Sequence, residues 1–446
     1  MSENALDHLQ TLLKKANGLG ADAADAVHVR HISLSHAQRL GEIEKLERAE
    51  GEDLGLRVFI GKRQAIVSSS DQSPEALNQL AERAVAMARA VPEDEFCGLA
   101  DPDVLSTSDA SGLEIFDPTE PATETLIEWA KSAEGAALGV DGITNSEGAE
   151  ADWTQSHVAI AGTNGFTGAY SGSSFSVSAC VLAGEGTEME RDYDYSSTVF
   201  ASDLEDPEII GKKAGERTIE RLNPKKAKSA KVPVVYDPRI SNGIVRHVTG
   251  AINGVSIARG TSFLKECMGK QIFPKGISII DDPHRLRGLS SKPFDAEGLA
   301  NNPISFIEDG ILTQWVLDLR SARQLGLTSN GRASRGTSSP PGPSTTNLHM
   351  TPGALSPEAL IGEIESGLYV TDMMGFGVNG VTGDYSRGAS GFWIEGGELA
   401  YPVSEMTVAG NLKDMFLNLT PANDLEFRYG TNAPTLRIDG MTVAGS

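Results

Sequence analysis

The sequence predicts an α+β protein, on three observations. Apolar residues alternate with polar ones in many short runs, which is the period of a half-buried strand. A few segments instead carry apolar residues at helical spacing, opened by a capping residue or a proline. Glycine is frequent, with 48 residues, and pairs such as Asn-Gly, Asp-Gly and Gly-Gly stand between apolar runs as tight-turn signals. The expected organisation is an N-terminal mixed α/β unit (1–92), an acidic linker (93–120), a middle antiparallel-sheet unit with flanking helices (121–224), and a glycine-rich, β-dominated C-terminal domain with one long helix (225–446).

Residues Asn4 to Ala16 read as an amphipathic helix through Leu6, Leu9, Leu12, Leu13 and Ala16, ended by Asn17 and Gly18. Val27, Val29, Ile32 and Leu34 mark a strand. Leu54, Leu56, Val58 and Ile60 alternate up to a turn at Gly61 and Lys62, and Ala65 and Val67 return. Ser73 and Pro74 open a second helix that closes before Pro92. The stretch that follows is acidic and rich in Asp, Ser, Gly and Pro, as a linker or long surface connection is. A helix over Glu124 to Leu138 leads to short alternating runs around Asn164-Gly165, and a helix from Pro207 to Leu222 ends the middle unit. The basic run Lys225, Lys226, Lys228 and Lys231 reads as a solvated linker.

The formal net charge of −23 opposes attraction to phosphate backbones and anionic membrane surfaces, so nucleic acid is not an expected partner. The polar, acidic N-terminus lacks the pattern of a secretory signal, and no apolar run approaches the ~20 residues that span a bilayer. A cytoplasmic protein is expected. Cys97, Cys180 and Cys267, odd in number and far apart, suit free thiols.

In the C-terminal segment, Asp237 caps and Pro238 starts one helix that runs to Gly260, with Ile240, Ile244, Val248, Ala251, Ile252 and Val255 on its buried face and His247 alongside. Gly243, Gly250 and Gly254 inside it each cost roughly 1 kcal/mol relative to alanine, so something is expected to approach closely there. IEDGIL (Ile307 to Leu312) and WIEGGEL read as hairpins. Thr337 to Asn347, with its prolines, reads as an ordered loop over a surface or cleft. In a sheet-rich domain, an exposed edge beside such a loop can take an extended peptide as an added strand.

This segment resembles the TldD/PmbA family, and within it the PmbA (TldE) branch. The blocks GTSFL (Gly260 to Leu264), FDAEG (Phe294 to Gly298), IEDGIL, SARQLG (Ser321 to Gly326), SNGRA (Ser329 to Ala333), TGDYSRGASGFWIEGGELAYPV (Thr382 to Val403) and AGNLKDM (Ala409 to Met415) stand in the branch's order. The TldD branch carries a zinc helix of pattern His-Glu-x-x-x-His. Counting back from GTSF without gaps, its first His falls on Val245, its Glu on Arg246 and its second His on Gly250. None supplies an imidazole, thiolate or carboxylate donor, or a base for a metal-bound water. The TldD-branch cysteine near the C-terminal PTL strand has no counterpart in Asp424 to Ile438 either.

The resemblance therefore implies a non-catalytic subunit of a two-part zinc protease. It binds no metal itself and pairs with a TldD-like paralogous subunit that supplies the zinc site; alone it is expected to form a homodimer. Unfolded or extended peptides are the implied substrates. Gly250, Gly254, Asp384, Ser386, Arg387 and Asn411 are the candidate peptide or partner contacts. An independent hydrolase with another site, or a regulatory protein-binding protein of the gyrase-modulator type, are the alternatives. Other chemistry is scarce. His28 and His36 share a strand face about 26 Å apart at ~3.3 Å per residue, too far for one ion, and His31 faces away. Asp281, Asp282 and Asp295 read as turn formers in loops.

Overall fold

The computed structural model describes residues 2–445, with the side chains of the first four residues left aside. The first helix, α1 (Ser2–Gly18), is followed by three strands, β1 (Ala23–Arg39), β2 (Glu42–Ile60) and β3 (Arg63–Ser69), and by α2 (Pro74–Ala90). Ser73 caps α2 through its hydroxyl to the Ala76 N–H, with proline at the first helical position. After the irregular stretch come α3 (Thr123–Leu138), β4 (Ile143–Gly162), β5 (Thr167–Ala183), β6 (Glu190–Thr198) and α4 (Pro207–Glu220), the last capped by Asp206.

These strands form one antiparallel sheet, β3-β2-β1-β4-β5-β6, so the first and middle segments share a sheet through the β1–β4 pairing from Asp25↔Gly162 to Gln38↔Ala149. Strands alternate their side chains between faces. On one face, Leu54, Leu56 and Val58 pack with Leu9, Leu12, Leu77 and Leu80 of α1 and α2, while Leu34, Trp153, Phe175 and Val177 pack with Leu126 of α3 and Ile210 of α4. The other face turns toward the C-terminal segment, where Val27, Ile160 and Phe166 cluster with Phe294.

The stretch 93–120 runs along that segment. Arg323 donates to the carbonyls of Phe96, Gly98 and Leu99 at 3.2, 2.9 and 2.6 Å, and the Ser106 N–H donates to Gly298. The proline-rich loop also crosses between segments. The Thr337 carbonyl lies where a Cβ at position 55 would be, 2.1 Å away, so only glycine at Gly55 lets it pass.

The C-terminal segment begins with β7 (Ala230–Tyr236), α5 (Pro238–Ala251) and α6 (Gly254–Ala258). A small sheet, β10-β9-β8-β13-β18, follows from β8 (Ile279–Asp281), β9 (Ile304–Glu308), β10 (Ile311–Leu312), β13 (Leu348–Met350) and β18 (Thr431–Asn432), with α7 (Leu319–Gln324), β11 (Ala333–Ser334) and β12 (Gly342–Pro343) between them. The larger sheet, β16-β15-β14-β7-β19-β17, adds β14 (Ser366–Met374), β15 (Asp384–Glu395), β16 (Glu398–Asn411), β17 (Leu419–Pro421) and β19 (Leu436–Ala444), with α8 (Pro357–Gly362) and α9 (Leu412–Leu417) beside it. β16 also pairs with β19, from Thr407↔Ala444 to Ala409↔Thr442, which closes five strands into a ring around the largest core. Both hairpins read from the sequence are present, at Asp309-Gly310 and Gly396-Gly397.

The loop aspartates differ from expectation in one case. Asp282 and Asp295 do clamp turns through backbone N–H groups. Asp281 instead ends β8, fully buried, where it pairs with Arg332, because a carboxylate enclosed by protein requires a partner charge.

Asp295 and Glu297 lie in the same interior, 1% and 8% exposed. Burial pushes the Glu297 carboxyl above its ordinary value of 4.5, and the Asp295 charge adds to this. The folded state therefore holds a proton that the unfolded chain releases above about pH 4.5, so this group's stabilising contribution is complete below that pH and is lost as pH rises toward neutrality. Glu297→Gln is expected to flatten the fall in urea-unfolding stability between about pH 5 and pH 8. An unaltered slope refutes the assignment.

Candidate functional site

The helix that the sequence analysis places between Asp237 and Gly260 is two helices. Asp237 caps α5, accepting from the Arg239 N–H at 2.9 Å, and is held by the Tyr369 hydroxyl at 2.9 Å. α5 stops because a segment distant in sequence captures its end: the Val316 N–H donates to Ile252, and the Gly254 N–H donates back to Val316 at 2.8 Å. Asn253 then caps α6 through the Val255 N–H. Of the three helix glycines, only Gly254 is closely approached, since a Cβ there would lie 2.6 Å from Ser321 Oγ and 2.8 Å from Val316 O. Gly243 and Gly250 face open space.

α5 buries Ser241, Ile244, Val245, Val248 and Ala251 in the core and leaves Arg246 and Gly250 exposed. Over the exposed side lies a cavity of about 240 Å³, walled by Arg246, His247 and Gly250, by Thr261 and Phe263, and by Val378 and Gly380 of the β14–β15 loop. The Phe263 N–H donates to Gly380, and the Gly383 N–H to Asn379, which hold that loop over the helix. Its tip is apolar and outward: Phe376 is 100% exposed, Met374 51% and Val381 58%.

His247 stands edge-on to Tyr385, ring centroids 5.7 Å apart. Burial, with the Arg387 guanidinium as a second cause, pushes its pKa down to about 4, so the imidazole is neutral at pH 7. It has no hydrogen-bond partner among the described residues.

The structure brings four of the six candidate contacts together at the start of β15. Asp384 accepts from Thr382 at 2.6 Å and from Asn411 at 3.1 Å, and Asn411 caps α9. The Ser386 N–H donates to Gly377, and Arg387 Nε donates to Gly375, both in the β14–β15 loop. Gly250 lines the adjoining cavity. Gly254 lies apart, buried against α7, and its enclosure leaves no surface for a peptide. Sequence reasoning missed the β14–β15 loop itself, although its GFGVNGVTG run, glycine-rich with bulky apolar residues between, is an available signal.

Among the described residues, no group of three or more His, Cys, Asp or Glu side chains is placed to hold a metal ion. His28 and His36 are buried along β1, His28 against Glu52 at 2.7 Å and His36 beside Gln38. No helix among them is long and apolar enough to cross a membrane.

Family models describe three successive parts of the chain: PmbA/TldA metallopeptidase domain 1 over residues 24–88, the central domain over 116–222, and the C-terminal domain over 229–445. Metalloprotease PmbA of Escherichia coli O157:H7 is 39% identical over 439 residues, 98% of this chain and 95% of that one. The chain belongs to the PmbA/TldD family. A PmbA homologue of Haemophilus influenzae is 37% identical over 96% of this chain and 93% of its own. Among solved PmbA/TldD-like structures, a Bacteroides thetaiotaomicron protein proposed as a modulator of DNA gyrase superposes with a TM-score of 0.92 at 27% identity, over all of both chains. TldE of Thermococcus kodakarensis shares the fold, with a TM-score of 0.88 at 20% identity over 98% of this chain and 100% of that one.

Proposed function

We propose that this PmbA/TldD family member is the PmbA/TldE-like subunit of a cytoplasmic zinc metalloprotease, pairing with a TldD-like paralogue that holds the metal and cleaves unfolded or extended peptides. The observation that carries the reading is the chemistry of α5 at the positions aligned with the family's zinc helix. Val245 is an aliphatic side chain inside the core, Arg246 is a cation at the cavity rim, and Gly250 has no side chain. Zinc takes imidazole, thiolate or carboxylate, and none of the three offers one. The residues present do not fit the metal.

What the chain contributes is shape and charge. Neutral His247, Arg246 and Arg387 beside the cavity present an apolar and cationic wall, suited to the carbonyl-rich backbone of an extended peptide. Gly250, Asp384, Ser386, Arg387 and Asn411 are the proposed contacts, and the exposed Phe376 loop is the part positioned to meet a partner.

The test is to purify this chain alone, the TldD-like paralogue alone, and the two together, then measure bound zinc and cleavage of an unfolded peptide. Zinc is expected only in preparations containing the paralogue, and full cleavage only in the mixture. Stoichiometric zinc and proteolysis from the isolated chain would overturn the reading.

A further inference from the structure

The face that the first sheet turns toward the C-terminal segment is filled unevenly. Around Phe294 the inward residues are large and the contact is closed. Further along β4 and β5 the inward positions carry Thr154 opposite Ser174 and Ser156 opposite Gly172. Side chains this small cannot reach the facing segment, and they leave a cleft of about 420 Å³, with Lys292 on its far wall. No Asp or Glu lines it, in a chain that has 61 of them against 38 Lys and Arg. Hydroxyl groups dominate the lining, and Lys292 is its one charged side chain.

Two donors at this cleft have hydrogen-bonding capacity left over. The Lys292 ammonium, which has three N–H groups, makes one hydrogen bond, 3.5 Å to the Ala333 carbonyl. Its carboxylate neighbours are engaged elsewhere: Asp281 with Arg332 and Thr346, and Asp295 with the N–H groups of Glu297, Leu299 and Ala333. Burial lowers the Lys292 pKa accordingly. The Tyr170 hydroxyl has no hydrogen-bond partner among the described residues, while its ring is fixed edge-on against Phe294, centroids 5.5 Å apart. A half-buried ammonium and a half-buried phenol beside a floor of hydroxyls have donors that no protein acceptor uses, and a negatively charged oxygen satisfies both.

We propose that this interdomain cleft is a binding site for a small oxyanion, a carboxylate or phosphate group, held by Lys292 and Tyr170 above the hydroxyls of Ser156 and Ser174. The site shares no residue with the α5 cavity and stands whether or not the chain is a protease subunit.

Calorimetric titration of the full chain with inorganic phosphate, with N-acetylglycine, and with neutral N-acetylglycinamide tests it. Saturable one-to-one binding is expected for at least one of the two anions and none for the amide. Phosphate alone identifies a phosphate ligand, N-acetylglycine alone a peptide-like carboxylate, and both the shared oxyanion. Lys292→Met is expected to weaken binding about tenfold or more, as loss of a charge-assisted hydrogen bond does. Tyr170→Phe keeps the ring in place and is expected to weaken it severalfold, which provides a readout if the Lys292 variant does not fold. Absence of saturable binding by either anion, or affinity unchanged in the folded variants, overturns the proposal.

Discussion

Arg332→Met is expected to destabilise the protein by about 3–5 kcal/mol, the cost of leaving one member of a buried ion pair without the other. Both side chains are fully enclosed, with Arg332 Nε 2.5 Å from Asp281 Oδ2. The guanidinium also donates to the carbonyl of Asn302 at 2.7 Å and to those of the adjacent Asn330 and Gly331. Asp281 in turn accepts from the Thr346 N–H and hydroxyl at 2.7 and 3.0 Å. Methionine nearly fills the volume but strands a carboxylate in a site that water cannot reach. Asp281→Asn, which keeps an acceptor for Thr346, removes the carboxylate and leaves the guanidinium charge unmatched, so it is expected to be destabilising as well. Denaturant unfolding of both variants and of the double variant Asp281→Asn/Arg332→Met checks this. The double variant is expected to be more stable than the sum of the singles implies, because the unmatched charge disappears. Singles within about 1 kcal/mol of the parent would show that the pair contributes little.

That pair also marks where sequence reading stops. α2, α4 and the start of α5 were legible because their caps, Ser73, Asp206 and Asp237, act within three residues of themselves and each precedes a proline. The strands around Leu54 to Ile60 and after Asn164-Gly165 were legible from alternation and turn chemistry. The strands proved longer than their apolar runs, since the exposed Glu-rich start of β2 and the Ser/Gly-rich part of β5 carry no period-2 apolar pattern. The division of the long helix was hidden for another reason. Its cause is Val316, some sixty residues on, which forms backbone hydrogen bonds to Ile252 and Gly254. The candidate site divides in the same way. Asp384, Ser386, Arg387 and Asn411 stand together because β15 and β16 pair Asp384 with Asn411; the Gly396-Gly397 turn starts this hairpin, but two register shifts, at Trp393/Ile394 and Ala389/Gly391, lie between the turn and that pair. The lowered pKa of His247 comes first from burial and then from Arg387, which the chain brings across from another strand, and nothing near position 247 announces either.

Asp25→Asn is expected to weaken the joint between the first sheet and the C-terminal segment by a similar amount, about 3–5 kcal/mol, because one carboxylate serves two buried guanidiniums. Arg57, next to it on the sheet, holds it through Nε at 3.1 Å and through a short contact from Nη2. Arg335, from the C-terminal segment, reaches it at 2.7 Å. The three side chains are 7%, 5% and 1% exposed. Among the described residues Arg335 has no other anionic partner, and its Nε and Nη2 are buried without hydrogen bonds, so neutralising Asp25 leaves two enclosed positive charges facing each other. Burial alone pushes the Asp25 carboxyl up, but Arg335 and Arg57 outweigh it and hold it below the ordinary value of 3.8. The stabilisation from a depressed carboxyl is present above that value and is lost as pH falls through the folded one, so the contribution is complete at neutral pH and fails only in strong acid. The variant should therefore lose stability at pH 7 and show a shallower acid transition than the parent. Since Arg335 is the one partner from the other segment, limited proteolysis of Arg335→Met is expected to cut the proline-rich loop after Thr337 faster than in the parent, with α1 to β6 still folded. Equal cleavage rates would place the joint elsewhere.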